Sequence, residues 1–177
     1  MSANTKKIVR IGLLTAISIV LLYALRPLHV SIFAATPFLK YDAAFVTVFF
    51  ACLAFGALDG VLLTLLICVL QIFLFPSSSG LYGPLMDFLA GASFALAAGL
   101  AFHAIKKDWA ALLIGIISSV VVMGFANLLI TPAFMGVPTS AVIKLMGFIL
   151  AFNLIKAGIN SVIAFVAFRL LKRILTI

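Results

Sequence analysis

Residues Leu150–Phe168 read LAFNLIKAGINSVIAFVAF. The stretch is apolar enough to lie inside a bilayer, yet Asn153, Lys156 and Asn160 interrupt it at i, i+3 and i+7, which puts all three on one stripe of a helix. Ionisable groups at membrane depth are costly and face a bundle interior or a water-filled cavity, so the stripe marks a polar site among other helices. The competing reading is that Lys156 snorkels to an interface while the asparagines make interhelical hydrogen bonds. Lys156 stands about a dozen residues from the basic end of its helix, too far to reach out along it at a rise of ~1.5 Å per residue.

The rest of the chain has the same character. It is 66% hydrophobic and 9% charged over 177 residues, with a mean hydropathy of +1.39, whereas a soluble domain carries about 25% charged residues. That composition describes a multi-pass protein of the cell membrane, folded as one all-α bundle over residues 1–177. A span needs roughly 17–25 apolar residues, which leaves no room for a soluble catalytic domain. The net charge of +8 is distributed as a membrane protein distributes it. Lys6, Lys7 and Arg10 precede the first apolar run, Lys106 and Lys107 lie mid-chain, and Arg169, Lys172 and Arg173 close it. Six crossings put these clusters on one side, which the positive-inside rule makes cytoplasmic, together with both termini. The first run lacks a small-residue cleavage pattern and reads as a retained helix.

The pattern predicts six transmembrane helices at about 8–25, 43–56, 60–75, 83–105, 110–130 and 140–175. Gly12 and Ala16 in the first give a small-xxx-small face, suited either to a partner protein or to packing within the bundle. The connection RPLHVSIFAATPFLKYD, 26–42, is broken by Pro27 and Pro37, and its mixture of aromatic residues with Lys40 suits a lid over a small ligand as well as a packed loop. The second helix is short, and Ala57-Leu58-Asp59 joins it to the third, which carries Gln71. Pro76, Ser77, Ser78, Ser79 and Gly80 form a turn. Asp87 falls in the first turn of the fourth helix, where the helix dipole favours a carboxylate, and an ion pair with Lys156 is also within geometric reach. Asn127 lies near the end of the fifth, with a loop from Thr131 to Thr139 after it. The sixth is too long for one perpendicular span and is expected to break or tilt around 147–152.

There is no Walker-type phosphate loop, no HExxH and no nucleophile elbow, and Asp42, Asp59, Asp87 and Asp108 are the only four acids. General acid–base chemistry therefore has little to work with, and an enzyme is disfavoured. Cys52 and Cys68 lie in apolar helices away from any CxxC, and His29 and His103 are isolated, so no metal is assigned. No internal halves mark a secondary transporter. An oligomeric channel, or a scaffold whose polar residues only hold helices together, remains open at this point. The clustering of Lys40, Gln71, Asp87, Asn127, Asn153, Lys156 and Asn160 toward one side describes a binding site for a small ring compound between aromatic walls.

Four runs, Thr36-Pro37-Phe38-Leu39-Lys40-Tyr41-Asp42, Gly80-Leu81-Tyr82-Gly83-Pro84-Leu85-Met86-Asp87-Phe88-Leu89, Asn127 with Thr131-Pro132, and Phe152-Asn153-Leu154-Ile155-Lys156, together resemble the substrate-binding S components of energy-coupling factor (ECF) vitamin importers over essentially the whole chain. The resemblance implies a six-helix subunit that binds a vitamin or its precursor near the extracellular face. It further implies association with a transmembrane coupling subunit and two ATPases that use the ATP, this chain having no cofactor of its own. In that family a small-residue motif of the first helix docks on the coupling subunit, and Gly12 and Ala16 match its spacing. The runs look most like riboflavin-type members, with hydroxymethylpyrimidine, pantothenate and pyridoxine groups also similar. Asp87 stands where riboflavin-type sequences tend to carry asparagine.

Overall fold

The computed structural model describes residues 2–25, 32–75 and 80–175, so His29 and the 76–79 turn lie outside the described residues. Among the described residues six helices follow one another: α1 (Ala3–Leu25), α2 (Phe45–Ala54), α3 (Ala57–Leu74), α4 (Tyr82–Ile105), α5 (Asp108–Met135) and α6 (Thr139–Leu175). Five are long and apolar enough to cross a membrane, and α2 is the exception. Its 10 residues reach about 15 Å at the helical rise, half the thickness of a bilayer core.

The short helix is the post around which the others stand. It is packed by α1, α3, α4 and α6, and Phe45 and every residue from Thr47 to Ala54 are buried. Phe49 stacks on Phe94 of α4 with ring centroids 3.4 Å apart. Close approach elsewhere depends on absent side chains, as at Gly99, where an added Cβ would sit 2.6 Å from the Ala57 backbone.

Three boundaries depart from the sequence pattern. The Ala57-Leu58-Asp59 link is helical, because Phe55 and Gly56, the latter at φ +105°, make the turn between them; Asp59 thus enters the first turn of α3, where the helix dipole favours it. The loop expected from Thr131 is the last turn of α5, with Pro132 inside the helix. A bundle in lipid tolerates the one amide that proline removes, and the helix stops instead at left-handed Gly136, with Val137 N–H donating back to the Pro132 carbonyl at 3.2 Å. The break expected near 147–152 is absent and α6 runs 37 residues unbroken. No proline lies within it, and its excess length is taken up by exposed ends at Thr139, Ser140 and Lys172.

The basic clusters meet at one end of the bundle. Lys7 pairs with Asp59 at 2.6 Å, Arg10 also binds Asp59, and Arg169 pairs with Asp108 at 2.6 Å. A run of rings connects them, since Arg10 covers Phe55, Phe55 meets Phe50, and Phe50 meets Phe168. From this end α1 rises, α2 descends, and the remaining helices alternate.

Candidate functional site

At the opposite end, where α2 has not begun, the bundle is hollow. A cavity of about 480 Å³ is lined by the last turn of α1, residues 37–42, Gln71 of α3, the start of α4, the second half of α5 and Phe152, Asn153 and Lys156 of α6, but by no residue of α2. The missing turns of that helix are the vacant volume. Its size falls within the range of small-molecule sites, roughly 300–1,000 Å³.

Two kinds of wall meet there. Phe38, Tyr41, Tyr82, Met86, Met123, Phe134 and Phe152 supply apolar and aromatic surface, with Tyr82 and Phe134 in ring contact at 4.8 Å across α4 and α5. The polar wall centres on Lys156, whose Nζ donates to Asp87 Oδ1 at 2.9 Å and lies over the Phe45 ring, 5.1 Å from its centroid. Gln71 Nε2 donates to the other Asp87 oxygen at a long 3.4 Å. Because α4 starts at Tyr82 and its first turn contains no acid, Asp87 is a partner for Lys156 more than a dipole-stabilised surface group. The snorkelling alternative for Lys156 does not hold, since its side chain is 13% exposed and ion-paired inside the bundle.

The amides are held by their own helices. Asn127 Nδ2 donates to Met123 O at 2.8 Å and its Oδ1 accepts from Thr131 at 2.9 Å; Asn153 Nδ2 donates to Ile149 O at 2.8 Å. Of the residues expected to bind substrate, Lys40, Gln71, Asp87, Asn127, Asn153 and Lys156 therefore surround one hollow. Asn160 does not line it. Fully buried, it accepts from Tyr41 OH at 2.8 Å and donates to the Asp42 carbonyl at 3.0 Å, fastening the segment before α2 to α6.

That segment holds what sequence reasoning missed. Asp42 lines the cavity, and its Oδ1 accepts from Ala44 N–H at 2.7 Å, while Oδ2 is buried without a partner among the described residues. It belongs to the connection ahead of α2, outside the spanning helices. Burial pushes its carboxyl up to about 6, Lys156 pulling the value down and Asp87 adding to the rise. The Tyr41 phenol is likewise raised, by burial first and by Asp42 second, against Lys156. Asp42 was visible as one of only four acids, but no periodicity places a loop residue in a wall.

Gly12 and Ala16 are both exposed on α1, and nothing lies within 4 Å of a Cβ built on Gly12. The small-residue face therefore points away from the bundle, which removes the intramolecular reading.

A sequence profile for the ECF transporter, substrate-specific component, matches residues 6–168. The chain belongs to that family. The solved structure of the S component of a bacterial ECF transporter is similar at 27% identity and a TM-score of 0.83, with 97% of this chain and 98% of that one covered. No curated protein sequence matches significantly. An S component is the binding part of a transporter and not a catalytic class, and its five spanning-length helices suit a multi-pass membrane protein. Family membership also implies association with a membrane coupling subunit and ATPases. It decides against the scaffold and channel readings that the residues alone left open.

Proposed function

We propose that this S component captures a water-soluble vitamin or vitamin precursor, of the riboflavin, hydroxymethylpyrimidine, pantothenate or pyridoxine kind, and delivers it to an importer energised by two partner ATPases. The observation that carries the reading is the cavity itself, with a half-buried Lys156–Asp87 pair set among aromatic walls. Lys40, Gln71, Asp87, Asn127, Asn153 and Lys156 would touch the ligand, while Asn160 would act through the segment that it anchors. The cavity end faces outward and the basic end, with both termini, faces the cytoplasm; the gathering of Lys7, Arg10 and Arg169 at one end supports this. Gly12 and Ala16 offer the coupling subunit a close-packing face.

The test has two arms. The purified chain, without ATP or partners, is titrated calorimetrically with a B-vitamin panel, and uptake is then measured in proteoliposomes with and without the coupling subunit and ATPases. Tight binding by the isolated chain, with uptake only in the complete assembly, is the expected result. A folded chain that binds no member of the panel refutes the proposal.

A further inference from the structure

The turn between α4 and α5 carries a charge excess that neither the fold nor the cavity uses. Lys106 and Lys107 are both exposed there, and Asp108 beside them is buried. Both oxygens of that carboxylate are taken by Arg169 of α6, Oδ2 by Nε at 2.6 Å and Oδ1 by Nη2 at 3.0 Å. Lys172, exposed one turn further along α6, sets its Nζ 5.6 Å from the centroid of the Phe168 ring. Phe168 meets Phe102 of α4 at 5.8 Å, and the Phe102 carbonyl accepts the N–H of Lys106 at 2.9 Å. Three helices thus bring four cations to one corner against one carboxylate. Among the described residues Lys106, Lys107 and Lys172 form no ion pair.

Lys106 holds its place against the backbone's preference. Its φ of +59° is left-handed, which among the described residues is true of no other non-glycine, and it stands at a helix C-terminus where glycine is the usual occupant. Glycine would close the helix without that strain, so the turn keeps an ammonium that the backbone does not need. Trp109, 55% exposed, stands next to these cations, and an indole on the outside of a spanning helix end belongs at headgroup depth. Acidic phospholipids supply what the corner lacks, a layer of fixed negative charge just beyond the hydrocarbon. A protein partner is the weaker fit, because α5 packs on α4 and α6 while α1 packs on α2 and α3, so the corner stands on helices that take no part in the Gly12–Ala16 face. We infer that Lys106, Lys107 and Lys172, with Trp109 as the depth anchor, form a binding site for anionic phospholipid headgroups. The site goes beyond the vitamin reading and does not depend on it, the cavity being at the other end of the bundle.

Trp109 is the chain's one tryptophan, so its fluorescence reads this corner alone. The full chain is reconstituted in phosphatidylcholine vesicles in which either brominated phosphatidylglycerol or brominated phosphatidylcholine replaces a set fraction of the lipid, and quenching of Trp109 gives the relative affinity of the two lipids beside it. A preference for phosphatidylglycerol of about 5-fold or more is expected, since each cation near the surface is worth about that factor, and it should shrink as salt is raised. Lys106→Gln, Lys107→Gln and Lys172→Gln together should remove most of it. Lys106→Gly, which relaxes the backbone as it removes the charge, should lower the preference by itself without lowering the Tm in detergent. Equal quenching of the parent chain by the two lipids overturns the inference, and so does a preference that survives the triple substitution. A triple variant that keeps the preference but no longer co-purifies with the coupling subunit and ATPases also overturns it and assigns the corner to a protein partner.

Discussion

Replacing Lys156 by methionine removes an ammonium from between the Asp87 carboxylate and the Phe45 ring while keeping most of the side-chain volume. Among the described residues, Asp87, 21% exposed at its side chain, is then left with the 3.4 Å contact from Gln71 and the nearby charge of Asp42. Breaking a buried pair by removing one partner costs about 3–5 kcal/mol. The residual exposure of both side chains and the Gln71 contact place this case at the low end, about 3 kcal/mol. For a chain of this size that is a fall of about 6–12 °C in Tm. Removing both charges, in Lys156→Met with Asp87→Leu, leaves no orphan and is expected to restore the Tm to within a few degrees, because apolar replacement of a buried pair is often neutral. Thermal unfolding in detergent, followed by tryptophan fluorescence with and without ligand, reads both effects. Ligand-induced stabilisation should vanish in the single and the double variant alike. A double variant that recovers stability and still binds as the parent does would refute the reasoning, since the pair would then be a strut and not a wall of the site.

Three further outcomes are expected. Asn160→Leu removes two hydrogen bonds of 2.8 and 3.0 Å, together worth about 1–3 kcal/mol; released from α6, the segment bearing Tyr41 and Asp42 should let ligand leave about 10-fold faster or more, measured by stopped-flow fluorescence, while Asn160→Asp, which keeps the Tyr41 bond alone, loses less. The Asp42 carboxyl is raised from 3.8 to about 6 in the folded chain, so the native state holds the proton more firmly than the unfolded one and ligand-free stability should decline as pH rises through that window. Ala16→Leu on the outward face of α1 should leave ligand binding unchanged and reduce co-purification of the coupling subunit, because its bulk enters no contact within the bundle.

Much of the bundle was legible in the chain because hydropathy and spacing are local properties. The apolar runs announced a helical bundle, of which five helices among the described residues reach spanning length, and the stripe Asn153, Lys156, Asn160 announced a polar interior before any fold was known. Local signals misled where a neighbour overrode them. Pro132 suggested a stop that the surrounding helices made unnecessary, and the length of α6 suggested a break that its exposed ends made unnecessary. Asn160 illustrates the limit within one stripe. It shares a face with Lys156, but depth separates them, and its amide is spent on the backbone of a segment 118 residues earlier.

Sequence alone determined that this chain must live in lipid as a helical bundle and that something polar must be sheltered inside it, because the cost of exposing polar groups to hydrocarbon is a property of each residue and needs no partner to evaluate. Tertiary structure alone decided that Lys156 is already neutralised by Asp87, 69 residues away, that Asp42 and Gln71 hold buried oxygens with no partner among the described residues, and that the hollow exists because α2 is too short to fill it. Those facts depend on the relative height and rotation of helices distant in sequence, which are set by the packing of Phe49 on Phe94 and of Gly99 on Ala57 and by no periodicity within any one segment.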